Sequence, residues 1–255
     1  MEFLTYSEFM SAKPPEIPEV IGNNVLVKQG KMLLYGIYHS GKSNMGIQLS
    51  SCISTGKNFL FLPCYMSRVW LINSEMSMWE WRKRFQKHCS NNGYPELPRV
   101  NFTTDTGLKL DTIAGLQEVS NVLAAHPEIN VVMFDPLMKL ITGNISDSQQ
   151  VTKFIDNVDY LISKFNISVI IGAHSRKTQI SKMGVPIDFG AEEILGSTIL
   201  PAWADTVVAL KPKIGGTDEN GYYLDMQFQK VRYAENYIPP VTLYFNRNTL
   251  SFKVA

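Results

Sequence analysis

The stretch Gly36-Ile37-Tyr38-His39-Ser40-Gly41-Lys42-Ser43 decides the fold. It is a complete GxxxxGK[ST] pattern, set between a short apolar run, Met32–Tyr35, and a helix-like segment, Lys42–Ile53. In the order strand, glycine-bounded loop, helix, this spacing has a physical meaning. The loop turns successive backbone N–H groups toward an anion, and the opening helix adds the positive end of its dipole. The anion is a polyphosphate: the lysine at the Lys42 position serves its β- and γ-phosphates, and the hydroxyl at the Ser43 position ligates Mg²⁺. The residues expected to contact a nucleotide are therefore Gly36, Ile37, Tyr38, His39, Ser40, Gly41, Lys42, Ser43 and Asn44. His39 is an unusual loop residue, and its side chain is expected to face solvent.

A second handle for Mg²⁺ belongs at the end of a neighbouring buried strand. The run Val131-Val-Met-Phe-Asp135 supplies it, four apolar residues closed by a carboxylate, so Ser43 and Asp135 form the expected metal pair. Around them the text alternates strand and helix. Val69–Ile72, Val131–Phe134 and Ile167–Gly172 are short, apolar and β-branched, as buried parallel strands are. Met78–Cys89, Thr112–Ala125 and Ser148–Phe165 read as helices, the last with Val151, Ile155, Val158, Leu161 and Ile162 at three- and four-residue spacings. This alternation predicts an α/β fold, a largely parallel sheet flanked by helices. After Ala173 the pattern changes. Residues 175–195 are polar and read as a loop; Thr206–Leu210, Tyr222–Arg232, Val241–Phe245 and Ser251–Val254 then read as a C-terminal β extension. Gly215-Gly216 and Asn220-Gly221 are expected turns. The Pro-containing residues 1–25 read as an N-terminal arm, leaving 26–255 as one domain.

Composition bounds the rest. In 255 residues, 24 Lys and Arg stand against 23 Asp and Glu, so no global basic field exists and any nucleic acid must be held by a local patch or an oligomeric channel. Cys52, Cys64 and Cys89 have neither CxxC spacing nor an even count, which argues against a disulfide framework or zinc site. No apolar run reaches the ~20 residues of a membrane span. The first residues lack the basic-then-apolar order of a signal peptide, so a cytoplasmic protein is expected. In Trp81-Arg-Lys-Arg-Phe-Gln-Lys-His88, Trp81 and Phe85 are expected to face the core and the charges to face water.

Taken in order, these motifs resemble the RecA-like P-loop ATPases, and within them the RepA/DnaB-type hexameric helicase branch. The resemblance runs from about residue 22 to 254 through the P-loop, Val69-Trp-Leu-Ile-Asn-Ser-Glu75, Phe134-Asp135-Pro136, Ala173-His174-Ser175-Arg176-Lys177, Gly196-Ser197-Thr198 and Ala204-Asp205. It implies ATP and Mg²⁺ as cofactors, with Glu75 activating the attacking water and His174 sensing the γ-phosphate. It also implies Lys230 and Arg232, a K-x-R on one strand face, reaching a neighbouring subunit's nucleotide, hence a homo-oligomer, ring or filament, with a hexamer favoured. Arg176, Lys177 and Lys182 become candidate contacts to DNA, single-stranded DNA favoured. The length suits an ATPase core alone, as in RepA. An ATP-gated regulatory or loader protein, and a kinase on the same P-loop, are the other readings the residues leave open.

Overall fold

The computed structural model describes residues 4–13, 17–104, 107–175, 179–180, 186–187, 194 and 198–255. Residues 4–13 hold a short exposed helix, α1 (Tyr6–Ser11), closed by a Thr5–Glu8 capping box. The next segment is already part of the core. β1 (Glu19–Ile21) pairs with β2 (Leu26–Val27), and Val20, Ile21 and Val25 are buried, so the expected arm is divided near residue 19.

Nine strands make the central sheet. In chain order they are β3 (Lys31–Gly36), β4 (Val69–Asn73), β5 (Val100–Thr104), β6 (Val131–Asp135), β7 (Ser168–His174), then β10 (Thr206–Thr217), β11 (Gly221–Val231), β12 (Val241–Asn246) and β13 (Ser251–Val254). Two-residue strands β8 (Gln179–Ile180) and β9 (Pro186–Ile187) pair separately. Across the sheet the order is β13-β12-β11-β10-β3-β7-β6-β4-β5. From β10 to β5 every pairing is parallel, and β11, β12 and β13 add on antiparallel. The expected architecture is therefore present, including its β extension.

Parallel strands buried on both faces alternate their side chains between two cores. Met32, Leu34, Leu71, Met133 and Ile170 face the core beneath α2 (Lys42–Thr55) and α3 (Met78–Asn92). Leu33, Tyr35, Ile72, Phe134, Val169 and Ile171 face the other, covered by α4 (Ile113–Ala125) and α5 (Ser148–Phe165). The stripe predicted on α5 is buried, joined by Phe154, and each such side chain contributes about 1.5–3 kcal/mol. Trp81 and Phe85 are buried as expected, and the three cysteines are free.

Two readings change. Val100–Thr104 has no apolar run, yet it forms the edge strand β5 with an outward polar face. Gly215-Gly216 is not a turn: β10 runs through it to Thr217, with Gly215 at φ 75° and a register irregularity after Pro212. The turn is the Asp218–Asn220 step, where the Asp218 carboxylate accepts from the N–H groups of Asn220 and Gly221.

Within β7, Gly172 leaves no room for a side chain. A Cβ on Gly172 in β7 would lie 2.5 Å from Asp135 Oδ1. We expect Gly172→Ala to lower stability by about 1–3 kcal/mol in urea titration. The loss should shrink in an Asp135→Ala background, where the obstructing carboxylate is gone.

Candidate functional site

Strand β3 ends at Gly36, where a Cβ would approach Leu210 O at 2.6 Å and Ser40 Oγ at 2.5 Å, so the chain can pass only as glycine. The loop then makes two left-handed steps, His39 at φ 64° and Gly41 at φ 87°, before α2 begins. Gly41 caps α2 without a side-chain hydrogen bond, which leaves the first amides of the helix for an anion. His39 is exposed, as expected.

Lys42 is buried and folded back, its Nζ donating to the Gly36 and Ile37 carbonyls at 2.8 Å each. Burial pushes its pKa down to about 8, opposed by the charges of Asp135 and Glu75. The Ser43 hydroxyl donates to Asp135 Oδ2 at 2.6 Å. Burial pushes the Asp135 carboxyl up, while that hydroxyl and the Lys42 ammonium hold it down. Ser43 and Asp135 thus place an alcohol and a carboxylate side by side, hard oxygen donors of the kind Mg²⁺ takes. Among the described residues no cluster of three or more His, Cys, Asp or Glu could hold a metal by itself.

Asn73 closes β4 directly beside Asp135 in register. Its side-chain oxygen accepts from the N–H groups of Glu75 at 3.1 Å and Met76 at 2.7 Å, and Ser74 N–H donates to Asp135 O. These bonds fix the turn that presents Glu75 at the carboxyl edge of the sheet. His174 ends β7 beside Gly36, and both its ring nitrogens are buried without a hydrogen-bond partner among the described residues. Its ring lies on that of Tyr38, centroids 4.1 Å apart and planes at 21°. Burial, with the nearby Lys42 charge, pushes His174 down to about 4, so the imidazole is neutral near pH 7.

The loop from Ile37 to His39, Gly41 to Asn44, Glu75, Asp135 and His174 line one cleft of about 680 Å³. Lys42, Ser43, Glu75, Asp135 and His174 line one part of it, and Lys213, Tyr222, Tyr223, Phe245 and Arg247 of the β extension build another wall, with the Tyr222 hydroxyl close to Gly41. Arg84 of α3 also lines the cleft and lowers the Asp135 carboxyl through its charge. The sequence reading missed Arg84 by treating Arg82, Lys83 and Arg84 alike. Arg82 sits over Trp79 and Lys83 pairs with Glu80, whereas Arg84 takes the i+3 position of the stripe Trp81, Phe85, His88. Asn73 was missed too, its only trace being the polar break after Ile72.

Lys230 and Arg232 stand elsewhere. Lys230 pairs with Val207, three residues, or ~10 Å, down β10 from Leu210, which pairs with Gly36. There Lys230 Nζ donates to the carbonyls of Pro201, Ala202 and Ala204 at the end of α6 (Ile199–Trp203). Arg232 donates to Ala202 O and pairs with Asp205 at 2.9 Å. Both occupy the amino edge of the sheet, away from their own P-loop. Arg176, Lys177 and Lys182 lie outside the described residues, as do Gly196 and Ser197. No helix among the described residues is long and apolar enough to cross a membrane.

Comparison with known proteins agrees with this geometry. A DnaB-like replicative helicase superposes with a TM-score of 0.63 at 14% identity, over 89% of this chain, which spans only 57% of that protein. A solved ATPase domain gives 0.64 at 14% identity, over 89% of this chain and 86% of that one. A KaiC-like protein from Pyrococcus horikoshii gives 0.62 at 11% identity, over 94% and 96% of the two chains. At such identities the likeness is one of fold, and the fold is RecA-like. No curated protein sequence matches the chain. The family described as "AAA domain" matches residues 2–179, most of the chain, with Lys42, Ser43, Glu75, Asp135 and His174 included. With the P-loop, the strand-end aspartate and Glu75 gathered in one cleft, the chain belongs to that family and is a P-loop ATPase.

Proposed function

We propose that this ATPase hydrolyses ATP with Mg²⁺ at a cleft completed by a second copy, and that it couples turnover to work on DNA. The observation that carries the hydrolytic part is the convergence of Lys42, Ser43, Glu75 and Asp135 at one sheet edge. Loop amides and Lys42 hold the β- and γ-phosphates, for which Lys42 must leave the Gly36 and Ile37 carbonyls. Ser43 and Asp135 hold Mg²⁺, which when bound neutralises phosphate charge. Glu75, presented by the Asn73 turn, orients a water and takes its proton. Arg84 adds a second cation on the same chain, and His174 reads the terminal phosphate as a neutral donor or acceptor. The aromatic wall of the β extension suits a base, with Arg247 over Tyr222 at 5.9 Å.

Lys230 and Arg232 stand at the amino edge, away from their own cleft, which is compatible with the proposed role toward a neighbour. Arginine delivered to a transferring phosphoryl group is worth on the order of 10³–10⁵ in rate. Homo-oligomerisation, in a ring or filament with six subunits favoured, follows from this reading and supplies the channel a near-neutral chain needs to hold single-stranded DNA.

Glu75→Gln should keep nucleotide binding and lose at least ~10²-fold in turnover, read against Lys42→Ala as the blank. Normal turnover would remove Glu75 from the chemistry. Lys42→Ala and Arg232→Ala should each be inactive, yet activity should return when the two proteins are mixed. Mixed assemblies pair an intact P-loop with an intact Arg232. No recovery at any ratio would count against the shared site.

The motor reading is tested by ATP turnover against protein concentration, with and without single-stranded DNA. Cooperative turnover raised severalfold by DNA is expected. Turnover steep in protein concentration but indifferent to DNA would instead fit a nucleotide-gated assembly, the alternative that the net charge of +1 favours.

A further inference from the structure

Tyr38 occupies a variable position of the P-loop pattern, and nothing in phosphate binding requires an aromatic ring there. Its side chain is 55% exposed, which for so large a ring calls for a reason. The ring covers His174, 4.1 Å between centroids at 21°, and its hydroxyl meets Met138 Sδ at 3.7 Å in the turn after Asp135. His174 is 7% exposed, and among the described residues neither ring nitrogen has a hydrogen-bond partner. The contact that orients the imidazole there is the stacked tyrosine face. The backbone joins the same two segments, since Ser175 N–H donates to Gly36 O at 3.0 Å.

We propose that Tyr38 is a positioning residue for His174: its ring holds the imidazole in the cleft, and ties the P-loop to the exit of β7. This rests on the reading of His174 as the group that meets the terminal phosphate. Tyr38 belongs to the loop that a phosphate occupies and His174 to the strand end that leads on to residue 176. A shift of the loop on loading therefore carries the imidazole with it. Phenylalanine preserves the stacking face; alanine removes it.

The test uses the intact protein with Tyr38→Ala, Tyr38→Phe, His174→Ala and the Tyr38→Ala/His174→Ala double variant. Tyr38→Ala is expected to lower kcat about tenfold with KM moved less than about threefold, the size of effect one stacked pair sustains. Tyr38→Phe should restore kcat, and the double variant should be no slower than His174→Ala alone. A second readout needs no nucleotide: an NMR titration of His174, one of only four histidines. Its midpoint, pushed down to about 4 by burial, should stay low in Tyr38→Phe and rise toward the ordinary 6.5 in Tyr38→Ala, which exposes the imidazole.

Wild-type-like kcat in Tyr38→Ala beside a slow His174→Ala would overturn the proposal and leave the role of His174 intact. So would a Tyr38→Phe as slow as Tyr38→Ala, losses that multiply in the double variant, or an unmoved His174 midpoint. Wild-type-like turnover in His174→Ala would instead remove the sensing role on which the proposal rests.

Discussion

The contact on which the molecule turns is the 2.6 Å hydrogen bond from Ser43 to Asp135. These residues are 92 positions apart, and their strands are not neighbours. β7 lies between β3, which leads into the P-loop, and β6, which ends at Asp135. The two donors can meet only by crossing β7, and Gly172 is the position in β7 that would obstruct them. Strand order, the missing side chain and the placement of the first helical turn of α2 are thus one requirement seen three ways. A parallel sheet gathers its strand ends at one edge, and the crossing contact brings the end of β6 against the first turn of α2 there.

The same sheet has a second edge with a different chemistry. At the carboxyl edge, polar groups wait for a ligand. At the amino edge, Lys230 and Arg232 are engaged with the carbonyls of α6 and with Asp205. Burial and the Arg232 charge push Lys230 below its ordinary value, as expected for two cations crowded at the end of one short helix. Such an arrangement stiffens both side chains and aims them away from the cleft of their own chain. Under the proposed assembly, the stiffening lowers the side-chain entropy lost when a neighbour's nucleotide is met.

Much of this was legible before any coordinates. The P-loop could be read because its chemistry needs residue types at fixed spacing, and Asp135 because a carboxylate closing four apolar residues, common enough as a cap or turn residue by itself, gains a specific reading beside a P-loop. The strands of the parallel core were visible because burial on both faces makes them uniformly apolar. β5 was not, because an edge strand has one wet face and Val100-Asn-Phe-Thr-Thr looks like a loop. Arg84 was hidden for a related reason. Three adjacent basic residues look alike in a line of text, and only the phase of α3, fixed by Trp81, Phe85 and His88, turns one of them inward. The long run of β10 through Gly215-Gly216 could not be read either, since glycines mark a turn and a bulged strand equally well.

Where a fold leaves polar atoms unpaired says what it awaits. Among the described residues, nine buried side-chain atoms lack a hydrogen-bond partner, and five of them, on Ser40, Asn44, Asn73 and His174, belong to the P-loop, the start of α2, or the ends of β4 and β7 beside it. A buried group left unsatisfied costs about 1–3 kcal/mol. The helix start after Gly41, with no side-chain cap, and a buried Lys42 ammonium folded onto the Gly36 and Ile37 carbonyls lie at the same place. Under the proposed reading, a phosphate ligand that satisfies these atoms stabilises the folded state by mass action. Binding and local order are then linked, and the linkage runs through the loop, the Asn73 turn and the end of β7. Those three segments position Lys42, Glu75 and His174, so under the proposed reading filling the cleft bears on the very groups proposed to act on what fills it.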